Sequence, residues 1–177
     1  MPAYVALIRG INVGGKKKLA MADLRELLSR QGYRDVRTHL NSGNAVFTAP
    51  GTDPAELAEL IEQAMESELG LSVRCLVRSG AELRAVVAAN PLAEHATEGS
   101  KLVAHFLSAA PDPTLLTAHD PCDLAPETIV FGDRVIYQWC PDGILAASPA
   151  GTFAEKYLGV TVTARNWNTV LALHARA

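Results

Sequence analysis

Two periodicities alternate along this chain. Short apolar runs fit strands, and longer stretches whose leucines recur at three- and four-residue spacing fit helices. "AYVALIR", residues 3–9, is the first strand. In "MADLRELLSRQG", residues 21–32, Leu24, Leu27 and Leu28 share one helical face and Gly32 stops the helix. "DVRTHL" and "AVFTA" are two strands joined only by Asn41, Ser42, Gly43 and Asn44. So short a connection makes a hairpin, not a parallel crossover. "TDPAELAELIEQAMESELG" opens with Thr52 or Asp53 as a cap, carries Pro54 in its first turn and ends at Gly70. "SVRCLVR", residues 72–78, closes this half as a strand.

The order strand, helix, strand, strand, helix, strand is the split βαβ arrangement of ferredoxin-like domains. A helix from Gly80 to Ala89 stops at "NP", and from Lys101 the order partly recurs. There "KLVAHFLS" is a strand, Pro113 to Ala118 a short helix, and "ETIVF" and "RVIYQWC" a hairpin turned at Gly132-Asp133. A helix near Phe153 to Leu158, a strand at "VTVTA" and a helix from Trp167 follow. The expectation is an α+β fold of duplicated ferredoxin-like βαββαβ halves packed together. Residues 1–78 form the first half, 79–100 a connecting helix and loop, and 101–177 a more degenerate second half with a terminal helix.

The 177 residues are 49% hydrophobic and 20% charged, which is globular composition. A net charge of -3 argues against a general nucleic-acid coat protein. "MPAYVALIRG" lacks the basic region and apolar length of a signal peptide, and no run approaches a membrane span, so the expected location is cytoplasmic. Cys75, Cys122 and Cys140 are widely spaced and match no metal-ligand pattern; no metal and no cofactor are expected. The sequence leaves the oligomeric state open.

Candidate chemistry concentrates at "LIRGINVGGKKKLAMADL", residues 7–24. Gly10, four residues, Gly15 and Lys16 approach the nucleotide-binding P-loop. Lys17, however, stands where a Ser or Thr should meet magnesium, and the following hairpin argues against the parallel sheet such enzymes use. A simpler anion site survives. In the expected topology the first two strands run parallel, so the loop from Arg9 through Gly10, Asn12, Gly14, Gly15 and Lys16 gathers beside Asn41, Ser42, Gly43 and Asn44. Glycines let backbone amides approach a ligand, and a helix N-terminus favours negative charge. Lys16, Lys17 and Lys18 are three of only five lysines in the chain. The plainer alternative is that glycine and asparagine serve the turns and the lysines are solvated.

A second concentration is "ARNWNTV", residues 164–170. Asn166 or Asn168 can cap the final helix, while Arg165 with Trp167 can hold an anion and stack on a flat group. The alternative is that Trp167 anchors the helix to the core. Catalytic sets are thin. His39 is a candidate proton donor or acceptor beside the hairpin, facing outward with Arg37; His105 lies in an apolar strand as a core histidine. Glu56, Glu59, Glu62 and Glu66 fall at helical spacing as a solvated face.

Together, "YVALIRGINVGG", "SGNAVF" and "TARNWNTV" resemble a bacterial family known only as a domain of unknown function, over almost the whole chain. The resemblance implies cytoplasmic α+β proteins with paired ferredoxin-like subdomains and supplies no reaction. This chain has His39 and Asn41 where relatives tend to have Tyr and Gln, and Ala164 where they tend to have Thr. The resemblance therefore carries no side-chain role onto those positions. The leading expectation is binding of a phosphate-bearing ligand, a nucleotide-like molecule or a nucleic-acid end, at Arg9 to Lys18 and Asn41 to Asn44, joined by Arg165, Asn166, Trp167 and Asn168. The alternatives are a small enzyme using His39 or Arg9 at that edge, or a structural or interaction module without a ligand. No membrane partner is expected.

Overall fold

In the computed structural model, which describes residues 1–177, the chain divides into two units. The first comprises Met1–Arg84 with Ala172–Ala177, the second Ala85–Leu171.

The first unit begins with β1 (Ala3–Ile8), α1 (Met21–Arg30), β2 (Arg34–His39) and β3 (Asn44–Thr48), then α2 (Pro54–Leu69), β4 (Cys75–Ser79) and the start of α3 (Gly80–Ala88). Its sheet order is β2-β3-β1-β4, with every neighbouring pair antiparallel. Tyr4, Ala6 and Ile8 of β1 pack with Leu24, Leu27 and Leu28 of α1 and with Ile61 and Met65 of α2. The 3.6-residue leucine spacing of α1 is thus spent on one face of the sheet. Asp53 caps α2 by accepting the Ala55 amide at 3.2 Å, Pro54 follows, and Gly70 ends the helix in the left-handed region. Tyr4 pins the entry to α2, its hydroxyl donating to the Thr52 carbonyl and accepting the Thr52 amide, each at 2.9 Å.

The second unit contains β5 (Leu102–Leu107), α4 (Pro113–Ala118), β6 (Ile129–Phe131), β7 (Val135–Trp139), α5 (Ala150–Leu158) and β8 (Val162–Asn166), and α6 (Trp167–Arg176) starts in it. Its antiparallel order, β6-β7-β5-β8, repeats that of the first sheet position for position. The fold is therefore mixed α/β with two four-stranded antiparallel sheets, one in each half. The second copy is abbreviated: α4 has 6 residues where α1 has 10, and β6 has only 3. Its core joins Leu107, Ile129, Ile136 and Val162 to Ala150, Ala154 and Leu158 of α5.

Most strand limits differ from the sequence expectation by a residue, and those of β4, β6 and β8 by more. β4 starts at Cys75, so Ser72, Val73 and Arg74 belong to a loop. β8 runs two residues past Ala164, because its pairing with β5 continues to Val103↔Asn166. Three short 3-10 turns, at Ala93–Glu98, Pro121–Leu124 and Ile144–Ala146, have no periodic signal in the sequence. No helix is long and apolar enough to cross a membrane.

Gly43 carries the tightest requirement in the first unit. Its φ is +88°, and a Cβ there would lie 2.8 Å from Ile8 Cβ and 2.9 Å from Ile11 Cδ1. Gly43→Ala is expected to destabilise the protein by at least about 2 kcal/mol, from overpacking together with a disfavoured backbone region. Gly51, with open space around it, is the control. Urea unfolding of G43A and G51A measures the difference; equal midpoints would contradict this packing.

Candidate functional site

β1 lies between β3 and β4, so its C-terminal end emerges at the middle of one sheet edge. β1 and β2 are both antiparallel to β3 and therefore run the same way. This brings the loop after β1 beside the β2–β3 turn, and the Ile8 amide donates to the Gly43 carbonyl at 2.8 Å. The P-loop alternative ends here: the sheet has no parallel neighbours, and α1 starts at Met21, well after Gly15-Lys16.

Buried Ile11 and Leu19 anchor the two ends of the loop. Between them Asn12 adopts φ +55°, a conformation asparagine tolerates better than most residues. Its carboxamide nitrogen donates to the Leu19 carbonyl at 2.8 Å and to the Asn41 carbonyl at 2.7 Å, and its oxygen accepts the Leu19 amide at 2.9 Å. Asn12 therefore closes the loop on itself and fastens it to the hairpin. The Asn12 amide donates to the Lys17 carbonyl and the Lys16 amide to the Val13 carbonyl, each at 3.2 Å. Gly14 and Gly15, at φ +62° and +73°, make the reversal between them.

The clasp leaves a cleft of about 460 Å³ bounded by Asn12, Gly15, Lys18, Leu19, Ala20 and Asn41. Ala20 is the N-cap of α1 and supplies no side-chain cap, so first-turn amides there are not covered by a side chain. The acidic residue of that turn, Asp23, does not border the cleft. Lys16 is exposed and borders neither this cleft nor the one on the β4 side, where Arg9, Gly10 and Lys17 lie.

Other candidates are committed elsewhere. Asn44 is fully buried, its amide donating to the His39 carbonyl at 3.0 Å and Ser42 Oγ at 2.9 Å; these two side chains build the hairpin. In the second unit, Arg165 is buried in β8 and donates to Thr163 Oγ1 at 2.7 Å and the Ala164 carbonyl at 2.8 Å. Trp167 is 2% exposed, its ring 6.2 Å from that of Tyr137. It is an anchor, not a stacking platform. Asn166 caps α6 by accepting the Thr169 amide at 3.0 Å, and Asn168 packs so closely on Gly99 that a Cβ there would not fit. "RNWN" thus builds the β8–α6 junction.

His39 also serves the fold. Its Nδ1 lies 2.7 Å from Arg176 Nη1, and Arg37 donates to the Arg176 carbonyl at 3.0 Å. Burial, and then the Arg176 charge, lower the His39 pKa, so the neutral ring accepts from the guanidinium. It borders neither cleft. His105 is partly buried with its Nε2 2.9 Å from Gln138 Oε1. Gln138 donates its amide to the Ser148 carbonyl at 2.8 Å, so the His105 Nε2 carries the proton. Burial lowers the His105 pKa and keeps the ring neutral. Burial and the Asp120 carboxylate push the Cys122 thiol up to about 11, which removes it as a thiolate nucleophile. No cluster of three or more His, Cys, Asp or Glu side chains exists to hold a metal.

Sequence reasoning missed Ser72 and Arg74, because "SVRCLVR" reads as continuous strand. The signal was available: antiparallel β1–β4 pairing sets the first residues of β4 against the last of β1.

The chain belongs to the family described as Protein of unknown function (DUF1697), whose model matches residues 1–137. It is similar to a solved structure described as that of a conserved bacterial protein from Streptococcus pneumoniae, with a TM-score of 0.71 and 22% identity over 98% of this chain and 97% of that one. That likeness is one of fold. No curated protein matches the chain.

Asn12→Ala removes three side-chain hydrogen bonds to backbone groups and is expected to cost roughly 1 to 3 kcal/mol. Hydrogen exchange is the sharper measurement. The Leu19 amide, which donates to Asn12 Oδ1, should lose protection while the core amides of β1 keep theirs. Unchanged exchange at Leu19 would contradict the clasp.

Proposed function

We propose that this member of the DUF1697 family binds a phosphate-bearing ligand, a nucleotide-like molecule or the end of a nucleic-acid strand, in the cleft between the β1 loop and the β2–β3 turn. The observation that carries the reading is the Asn12 clasp. It holds open a cleft edged by Lys18, Asn41 and an α1 N-terminus without a side-chain cap. A helix start without a side-chain cap and a lysine beside it suit an anion. The volume of about 460 Å³ lies within the range of small-molecule sites. Neutral Asn41 adds hydrogen bonding that a purely electrostatic site lacks.

Exposed Val13 and Leu40, at 67% and 60%, flank the same loops and favour a second reading, in which this edge docks a protein. Titration of the full chain with fluorescent nucleotides and short single strands, at two salt concentrations, separates the two. Binding that weakens with salt is expected, and Lys18→Gln should weaken it about tenfold, the loss of one charge-assisted contact. No binding by the unmodified protein would favour the docking surface instead.

A further inference from the structure

The loop after β1 divides the sheet edge in two. On its β4 side a second cleft, of about 250 Å³, is bounded by Arg9, Gly10, Lys17, Ser72, Val73 and Arg74. The antiparallel register Ile8↔Cys75 continues one step further, where the Arg9 amide donates to the Arg74 carbonyl at 2.9 Å. This bond sets the backbones of Arg9 and Arg74, each one residue beyond its strand, against one another at the cleft. Lys17 reaches the same place from the loop. Its backbone is left-handed at φ +48°, and its Nζ donates to the Ser72 carbonyl at 2.8 Å, which carries the ammonium across to the β4 side.

Three basic residues therefore line one small cleft, and no acidic residue lines it. Glu62 of α2 braces Arg74 from outside that lining. Its Oε2 lies 3.3 Å from Arg74 Nε and accepts the Cys75 amide at 2.7 Å, so the guanidinium has a fixed partner. An anion in a cleft lined by three basic residues gains coulombic energy from all of them.

We propose that this cleft is a binding site for a tetrahedral dianion, a phosphate monoester or inorganic phosphate. It is separate from the hairpin-side cleft and independent of the reading given to it. Basic residues from three chain segments, two of them arginines, suit the several oxygens of a tetrahedral oxyanion.

The test is an amide NMR titration of the full-length protein with inorganic phosphate, with chloride matched for ionic strength. Saturable shifts are expected at the Gly10, Ser72 and Val73 amides. Arg74→Gln should weaken them about tenfold or more, and Lys17→Gln likewise. Arg74 is largely exposed and Glu62 retains the Cys75 amide, so the fold should survive the Arg74 change. Lys156→Gln, an exposed lysine of the second unit, removes the same charge at a distance and should leave affinity unchanged. Shifts that chloride reproduces, or equal affinity in Arg74→Gln, Lys17→Gln and the parent, would overturn the proposal. Shifts confined to Gly15, Leu19 and Asn41 would overturn it too and assign the anion to the hairpin-side cleft.

Discussion

One asparagine side chain holds the candidate site together. The Asn12 carboxamide engages the backbone of Leu19 through both its nitrogen and its oxygen, and the carbonyl of Asn41 through the nitrogen. The loop it closes contains two glycines and three lysines, residues that lose much conformational freedom when ordered. Buried Ile11 and Leu19 fix the ends of that loop but not its middle. Asn12 couples the middle to the hairpin, and the hairpin is fixed in turn by Gly43, whose missing Cβ lets the turn rest against Ile8 and Ile11. Packing and hydrogen bonding thus converge on the same few residues, and the cleft is what they leave between them.

The strand order sets how charge is distributed around this point. β1 is central at its edge, with the hairpin on one side and the entry to β4 on the other. The consecutive lysines consequently diverge. Lys18 borders the hairpin side, left-handed Lys17 borders the β4 side, and Lys16 borders neither. Two of three consecutive lysines thus serve different clefts, and the third serves neither. The net charge of -3 for the whole chain gives no hint of this local arrangement.

Much of the fold was legible because its signals are local. Leu24, Leu27 and Leu28 marked the buried face of α1, Pro54 and Gly70 bounded α2, and the brevity of Asn41 to Asn44 dictated an antiparallel hairpin. The adjacency of the two loops followed from that hairpin and the strand–helix order. Side-chain commitments were not legible, since composition does not say where a polar group spends its hydrogen bonds. Asn12 and Asn44 both read as ligand donors, yet both N–H groups of the Asn12 amide go to backbone carbonyls and Asn44 is buried in the turn. Arg165 and Trp167 read equally well as platform or anchor, and only their burial decides. Arg74 escaped notice because its importance comes from a cross-strand neighbour far away in sequence, Arg9.

The most direct measurement of the central claim is a crystal structure of the protein soaked with a mononucleotide. The account places the phosphate oxygens within hydrogen-bond reach of the Lys18 ammonium and the start of α1, with the Asn12 clasp intact. A nucleotide bound away from both clefts, or one that enters only when the Asn12 contacts to Leu19 and Asn41 are broken, would contradict it.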